Sequence, residues 1–321
     1  MLILLFAVVL NGCIKTEIGY IDMTKYVFPS DEGRHIGENE SWWFGGFVKS
    51  KNGDDFFICA LYVIRNNDER LIQAVTVKEI GTGILYSNLD EHQKDTYMCD
   101  LDELNIDIGH NEKWYTTGKN PFNYQFETRI TDDWYDLSIN LNIKSVKGPT
   151  IQDTLGVINE NLNTTAYYDH TNCEVIGELT LFNKVITVQG NGYISREWGD
   201  VLGGDWQWSA VQLDNDYEIC AAKFQHVEGI KDEAWLVNPD GNVKTLSDLD
   251  IKITGYSSIW WSEKWYLQSD DEDFNLTINL MSDLQKVIGL NEGICSVKGT
   301  FKDDIVEGIC FTEQAVRFPN N

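Results

Sequence analysis

The sequence predicts an all-β protein built from two antiparallel β-barrel or sandwich domains in tandem. Three observations predict it: the length, a near-continuous succession of strand-length apolar runs, and one hairpin pattern that occurs twice. A chain of 321 residues fits two domains. Its 42% hydrophobic and 12% aromatic content is enough to fill their cores and excludes a disordered chain.

The first element is a leader. Residues 2–10 are an unbroken apolar run, too short to span a bilayer. Leu10-Asn11-Gly12-Cys13 follows and resembles the lipobox of bacterial-type lipoproteins. That resemblance implies that Cys13 is diacylated, with two acyl chains giving stable attachment. The expectation is an exported, membrane-anchored monomer. It has a leader at 1–13, a first domain at 20–198 and a second at 199–321.

The domains are read as strands. Segments 56–64, 72–77, 137–143, 179–188, 206–213 and 274–280 are β-branched or aromatic and of strand length. Segment 137–143 alternates apolar and polar, as a half-buried antiparallel strand does. Turn chemistry separates the runs at Asn52-Gly53-Asp54, Gly190-Asn191-Gly192 and Pro239-Asp240-Gly241-Asn242. Long helical periodicity is missing from the sequence. The repeated hairpin is GGFVKSKNGDDFFICA at 45–60 and WQWSAVQLDNDYEICA at 206–221, the trace of a duplicated domain. Closing each sheet into a barrel removes its edges and leaves room for one small ligand.

Charge and cysteine use narrow the function. A formal net charge of −26 repels phosphate backbones, so no nucleic-acid partner is expected. Beyond Cys13, six cysteines remain. Most lie in apolar strand runs, as small core residues do. Cys295 and Cys310 are the best-placed pair, because a hairpin turning near Asp303 would set them opposite. C-x-x-C and H-E-x-x-H patterns do not occur in the sequence, and neither metal nor cofactor is expected.

Tryptophans cluster at Trp42-Trp43, at Trp198, Trp206 and Trp208, and at Trp260, Trp261 and Trp265. The densest segment is 190–212, which sets Arg196 and Glu197 between aromatics ahead of Gly203-Gly204. Ionised groups there require partners. One reading pairs Arg196 with Glu40 or Glu197 to close a barrel. The other makes Glu197 or Asp205 a carboxylic acid, with its pKa raised by apolar neighbours and able to protonate an alkene or carbonyl.

Tyr193-Ile194-Ser195-Arg196-Glu197-Trp198-Gly199, then Trp206-Gln207-Trp208-Ser209 and Gln212-Leu213, resemble the W-M-D-R/H-E-W-G…W-x-W-x-x-x-Q-L signature of the AttH-like family. That family includes hydroxyneurosporene synthase, a carotenoid 1,2-hydratase. Glu40-Ser41-Trp42-Trp43-Phe44, Tyr167-Tyr168, Val297-Lys298-Gly299-Thr300 and Glu307-Gly308 follow its order. The resemblance implies two lipocalin-like domains with a cavity at or near their junction. It also implies an apolar ligand, an isoprenoid, polyene or lipid, held by Trp42, Trp43, Tyr193, Ser195, Arg196, Trp198, Trp206, Trp208 and Gln212. Ser195 stands where the family carries its presumed proton-donating aspartate, so binding without chemistry is the first expectation. A hydratase, cyclase or isomerase using Glu197 or Asp205 is the second. A packed structural protein is the third.

Overall fold

The structure is a computed structural model that describes residues 26–109, 112–132, 134–151, 165–199, 206–226, 229–256, 262–282, 285–287 and 290–315. Cys13 and its leader, Asp205, Gly203-Gly204, Trp260 and Trp261 lie outside the described residues. Among those residues the chain is all β apart from two 3-10 turns.

Twelve strands form the first sheet. They are β1 (Asn39–Ser50), β2 (Asp55–Ile64), β3 (Leu71–Glu79), β4 (Leu85–His92), β5 (Met98–Cys99) and β6 (Asn105–Gly109), then β7 (Glu112–Thr116), β8 (Asn123–Asp132), β9 (Tyr135–Ser145), β10 (Thr150–Ile151), β11 (Thr165–Leu181) and β12 (Lys184–Gly199). Ten form the second: β13 (Trp206–Leu213), β14 (Glu218–His226), β15 (Gly229–Val237), β16 (Val243–Leu246) and β17 (Asp250–Tyr256), then β18 (Ser262–Ser269), β19 (Phe274–Leu280), β20 (Gln285–Val287), β21 (Leu290–Phe301) and β22 (Asp304–Ala315). The chain passes from one sheet to the other between Gly199 and Trp206.

The strand orders reveal the duplication. The first sheet runs β4-β3-β2-β1-β12-β11-β9-β8-β7-β6-β5, with β10 on β11. The second runs β16-β15-β14-β13-β22-β21-β19-β18-β17, with β20 on β21. Strands β13–β16 thus repeat β1–β4, and β17–β22 repeat β7–β12. The sheets curl into two lipocalin-like half-barrels.

Two glycines mark equivalent points in the long hairpin of each half. Gly177 faces Val188, two residues before Gly190. Gly299 faces Val306, two residues before Gly308. Each sits where the neighbouring backbone comes too close for a Cβ. A Cβ on Gly190 would lie 2.0 Å from the Phe47 carbonyl oxygen, and one on Gly308 would lie 2.1 Å from that of Gln212. These are the bends a curled sheet needs. Gly190→Ala is expected to pry β12 from β1 and cost roughly 3 kcal/mol, read as a lower urea midpoint.

Strand β9 keeps the alternation read from its sequence. Two local readings change. Segment 179–188 is not one strand: Phe182 and Asn183 turn at positive φ, +48° and +66°, between β11 and β12. The apolar run continues through the hairpin and hides its turn. Conversely, Gly190-Asn191-Gly192 is no turn but the interior of β12, where the glycines permit close packing. Cys295 and Cys310 are cross-strand partners as the hairpin geometry suggested, and both are buried free thiols.

Side chains on the two faces fill three spaces. One face of the first sheet closes on its own core through Trp42, Phe44, Val48, Trp114 and Phe126. The second sheet does the same with Val211, Ile219, Trp265, Cys295 and Cys310. Their other faces meet: Trp43, Phe57 and Tyr193 from the first sheet pack with Ala210, Trp235 and Phe311 from the second. Burial of this aromatic area drives the association, and polar clasps fix its register. Lys147 Nζ lies 2.7 Å from Glu218 Oε2. Gln212 Nε2 donates to the Thr171 and Gly192 carbonyls at 2.8 Å each.

The segment ahead of β1 plugs the first barrel. Arg196 donates to the Gly33 carbonyl at 2.7 Å, and Trp42 Nε1 to that of Glu32 at 3.1 Å. The Glu32 carboxyl lies 2.9 Å from both Tyr124 OH and His170 Nε2, and Ser145 Oγ is 3.0 Å from His170 Nδ1. This Ser–His–Glu chain is packed among the rings of Phe122, Tyr124 and Tyr168 and anchors the plug.

Candidate active site at the junction of the two sheets

Because side chains alternate along a strand, each strand at the junction sends one set of residues into its barrel and the other into the contact between sheets. Across β1, β12 and β11 the junction row is Trp43, Ser195 and Asp169. Across β13, β22 and β21 it is Trp208, Glu313 and Glu292. The glycine bends identify these rows as counterparts: Ser195 lies five residues beyond Gly190, and Glu313 five beyond Gly308. One step along β12, Glu197 lies between Ser41 and Tyr167.

Four carboxyl groups therefore gather in one aromatic space. The Tyr167 hydroxyl donates to Asp169 and lies 3.0 Å from the Tyr193 hydroxyl. Trp206 Nε1 donates to Glu313 Oε1 at 2.6 Å. Ser41 Oγ is 3.5 Å from Glu197 Oε2. The Trp43 ring meets Tyr193 at 5.7 Å, and the Trp208 ring meets Tyr167 at 5.4 Å. Ser41, Ser195, Glu197, Trp206, Trp208 and Glu313 keep partial exposure, whereas Trp43, Asp169, Tyr193, Glu292 and Phe311 behind them are buried. The half-exposed groups border a recess with the buried ones as its wall.

Charge in this recess is unfavourable. Burial, then repulsion from Glu313 and Asp169, pushes the Glu197 carboxyl from 4.5 to about 8. Its side chain opens on the recess, but the surrounding protein still strips it of water. Glu292 is pushed well above its usual range by burial and by its cross-strand neighbour Glu313, and burial raises Glu313 too. Repulsion between two carboxyls so close favours their sharing a proton. Among the described residues no group of three or more His, Cys, Asp or Glu side chains is set to hold a metal. The arrangement can supply protons to a neutral molecule and surround it with aromatic faces.

The structure divides the residues singled out from sequence. Trp43, Tyr193, Ser195, Glu197, Trp206 and Trp208 come together at the junction. Trp42, Arg196 and Trp198 lie on the opposite face of the sheet, at the plugged mouth of the first barrel. There Arg196 Nη2 meets Glu40 Oε2 at 2.5 Å, its guanidinium covers the Trp42 ring at 3.9 Å, and His35 stacks on Trp198 at 4.2 Å. Gln212 is a clasp between the halves. Asp169, Glu292 and Glu313 are additions. Placing Gly308 on Gly190 would have found the last of them, because that alignment sets Glu313 on Ser195.

Residues 21–314 match the AttH-like family. Among curated proteins none matches. Solved structures similar to this chain include these three. An AttH protein of Nitrosomonas europaea is 16% identical with a TM-score of 0.73, covering 92% of this chain and 98% of its own. Kievitone hydratase of Nectria haematococca is 14% identical with a TM-score of 0.75, covering 90% and 92%. CghA, solved with Sch210972, is 10% identical with a TM-score of 0.56, covering 87% and 88%. At these identities the likeness is one of fold.

Proposed function

Because the chain belongs to the AttH-like family, we propose that its junction recess takes an apolar unsaturated molecule, an isoprenoid, polyene or related lipid, and that protonated Glu197 donates a proton to it. The observation that carries this reading is an acid held at a pKa of about 8 and opening on a recess walled by tryptophan and tyrosine. A general acid works best with its pKa near the operating pH. The hydratase among the similar structures supports the reading by analogy of fold.

The step balances simply. The Glu197 proton moves to one carbon of a double bond, and the π electrons form the new C–H bond. The adjacent carbon becomes cationic beside the faces of Trp43 and Trp208, which stabilise positive charge. Water then adds, and its surplus proton passes to the Glu197 carboxylate or to the Glu292–Glu313 pair. Loss of a neighbouring proton instead gives an isomer, and capture by a second double bond gives a ring. Ser195 is no acid near neutral pH, so the donor shifts from the family's aspartate position to Glu197.

Incubation with unsaturated isoprenoids in D2O tests this by mass spectrometry. Deuterium is expected on carbon in the product, with the rate falling 10²-fold or more in Glu197→Gln. A molecule that binds and quenches tryptophan fluorescence without exchanging would make the protein a carrier and remove the chemical step. We further propose export and lipid anchoring, on the strength of the apolar run 2–10 and Cys13. The mass of the mature N-terminus checks it.

A further inference from the structure

The barrel-facing rows of the two halves are also counterparts, and they differ in kind. Six residues beyond the bend glycine, the first half places Trp42, Arg196 and Tyr168 side by side across β1, β12 and β11. The second half places Gln207, Gln314 and Asn291 across β13, β22 and β21. One row deeper, Phe44, Ile194 and His170 correspond to Ser209, Thr312 and Gly293. Position by position, smaller side chains replace Trp, Tyr, Phe, Ile and His. The first barrel fills this end and plugs it; the second lines it with neutral amides and hydroxyls above a floor of Val211, Cys295 and Cys310.

Those polar groups are buried, with Asn291 and Thr312 at 0% exposure and Gln207 at 2%. Only Gln314 is clamped, its Oε1 accepting from the Ser262 N–H at 3.0 Å and its Nε2 donating to the Ser262 carbonyl at 3.3 Å. The Gln207 amide has no protein partner at either atom, nor has that of Asn291. The Trp265 indole N–H of the same core is also unpartnered, and the Thr312 hydroxyl contacts the Cys295 thiol. A buried polar group left unpaired is costly, whereas an apolar residue of the same shape is not.

We propose that this end of the second barrel is a ligand site, separate from the junction. It takes an uncharged molecule with a carbonyl, amide or hydroxyl head on an apolar body. Gln207 and Asn291 each offer a donor and an acceptor, and Thr312 adds a hydroxyl. The charge that stands in these rows, Lys223 beside Gln207, is already paired with Asp232 at 2.5 Å, so a charged head would have to compete with that pair for a counter-ion. The apolar floor receives the body. This inference does not depend on the junction chemistry.

The test uses 2-naphthamide and 2-naphthol as probes and 2-naphthoate as the charged control, read by thermal shift and titration calorimetry. Both neutral probes are expected to stabilise the full chain, with naphthoate binding at least tenfold more weakly. The combined variant Gln207→Leu, Asn291→Leu, Thr312→Val is expected to melt about 3 °C higher or more and to lose the probe shift. Glu197→Gln should keep that shift. Absence of any shift with the neutral probes overturns the proposal. So does a variant that melts lower, because its polar groups would then be satisfied within the fold. A crystal structure with 2-naphthamide gives a second reading that needs no variant: density in the second barrel supports the site, and density only at the junction overturns it.

Discussion

Stability is expected to fall as the pH rises from about 5 to about 9, and Glu197→Gln to remove much of the fall. Glu197 has a folded pKa of about 8 against a reference of 4.5. Between those values the folded protein holds a proton that the unfolded chain releases. Raising the pH therefore favours unfolding. The contribution is fully present below 4.5 and is lost as the pH passes through 8. Over that window the displacement is worth roughly 5 kcal/mol, and Glu292 and Glu313 act in the same direction. Gln has the shape of the protonated acid without its charge. The variant should match the parent near pH 5 and exceed it by several degrees in melting temperature near pH 9, while losing proton transfer. Urea unfolding across pH checks the free energies. A parent profile flat from pH 5 to pH 9 would mean that the recess is wet enough to keep these carboxylates charged, and the acid role would go with it.

How much of this was legible in the sequence depends on the face. Strand content, the doubled hairpin and the opposition of Cys295 and Cys310 followed from local patterns, because turn chemistry and β-branched runs act over a few residues. That Arg196 pairs with a carboxylate, Glu40 or Glu197, followed from a physical requirement, since a charge among tryptophans needs a partner; the choice of Glu40 came from the structure. The sorting of neighbours was not legible. Along β1 both faces are buried, so the apolar–polar alternation that distinguishes inside from outside vanishes. Trp42 and Trp43 read alike, yet one fills a barrel and the other walls the recess. Arg196 and Glu197 part in the same way. The recess also draws its second acidic row from β21 and β22, about a hundred residues beyond Glu197, and only tertiary packing unites the two. The bend glycines carried the missing information, because they fix which residues of the halves correspond. They were read as a turn because Gly-Asn-Gly has a turn's composition. Asp205, named as an alternative acid, lies outside the described residues.

Arg196 is where a single substitution should destabilise most. Its side chain is 1% exposed, and it donates to the carbonyls of Gly33, Ser41 and Glu197 as well as to Glu40. Burial alone would push the Glu40 carboxyl up. The Arg196 charge and the hydrogen bonds from His35 outweigh that and hold it below its usual 4.5. The pair therefore stabilises the fold above that value and is lost as the pH drops through the depressed pKa. Arg196→Met keeps the length and the contact with Trp42 but removes the main counter-charge of Glu40, leaving it the longer contact with Arg34 Nε at 3.7 Å and the hydrogen bonds from His35, at a cost of about 3–5 kcal/mol. The acid dependence should weaken with it. Without Arg196 the Glu40 carboxylate keeps only Arg34 and His35 against its burial, so the variant should lose less stability on acidification than the parent does. Adding Glu40→Gln should recover much of the loss at neutral pH, because a neutral amide needs no counter-charge. The second half already stands near that solution: Gln314 occupies the position of Arg196 and is clamped to the Ser262 backbone without any ion. A full double-mutant cycle in urea separates the outcomes. A coupling of less than about 1 kcal/mol would make the pair behave as a surface ion pair, and the plug would then be held by its backbone contacts and by Glu32 instead.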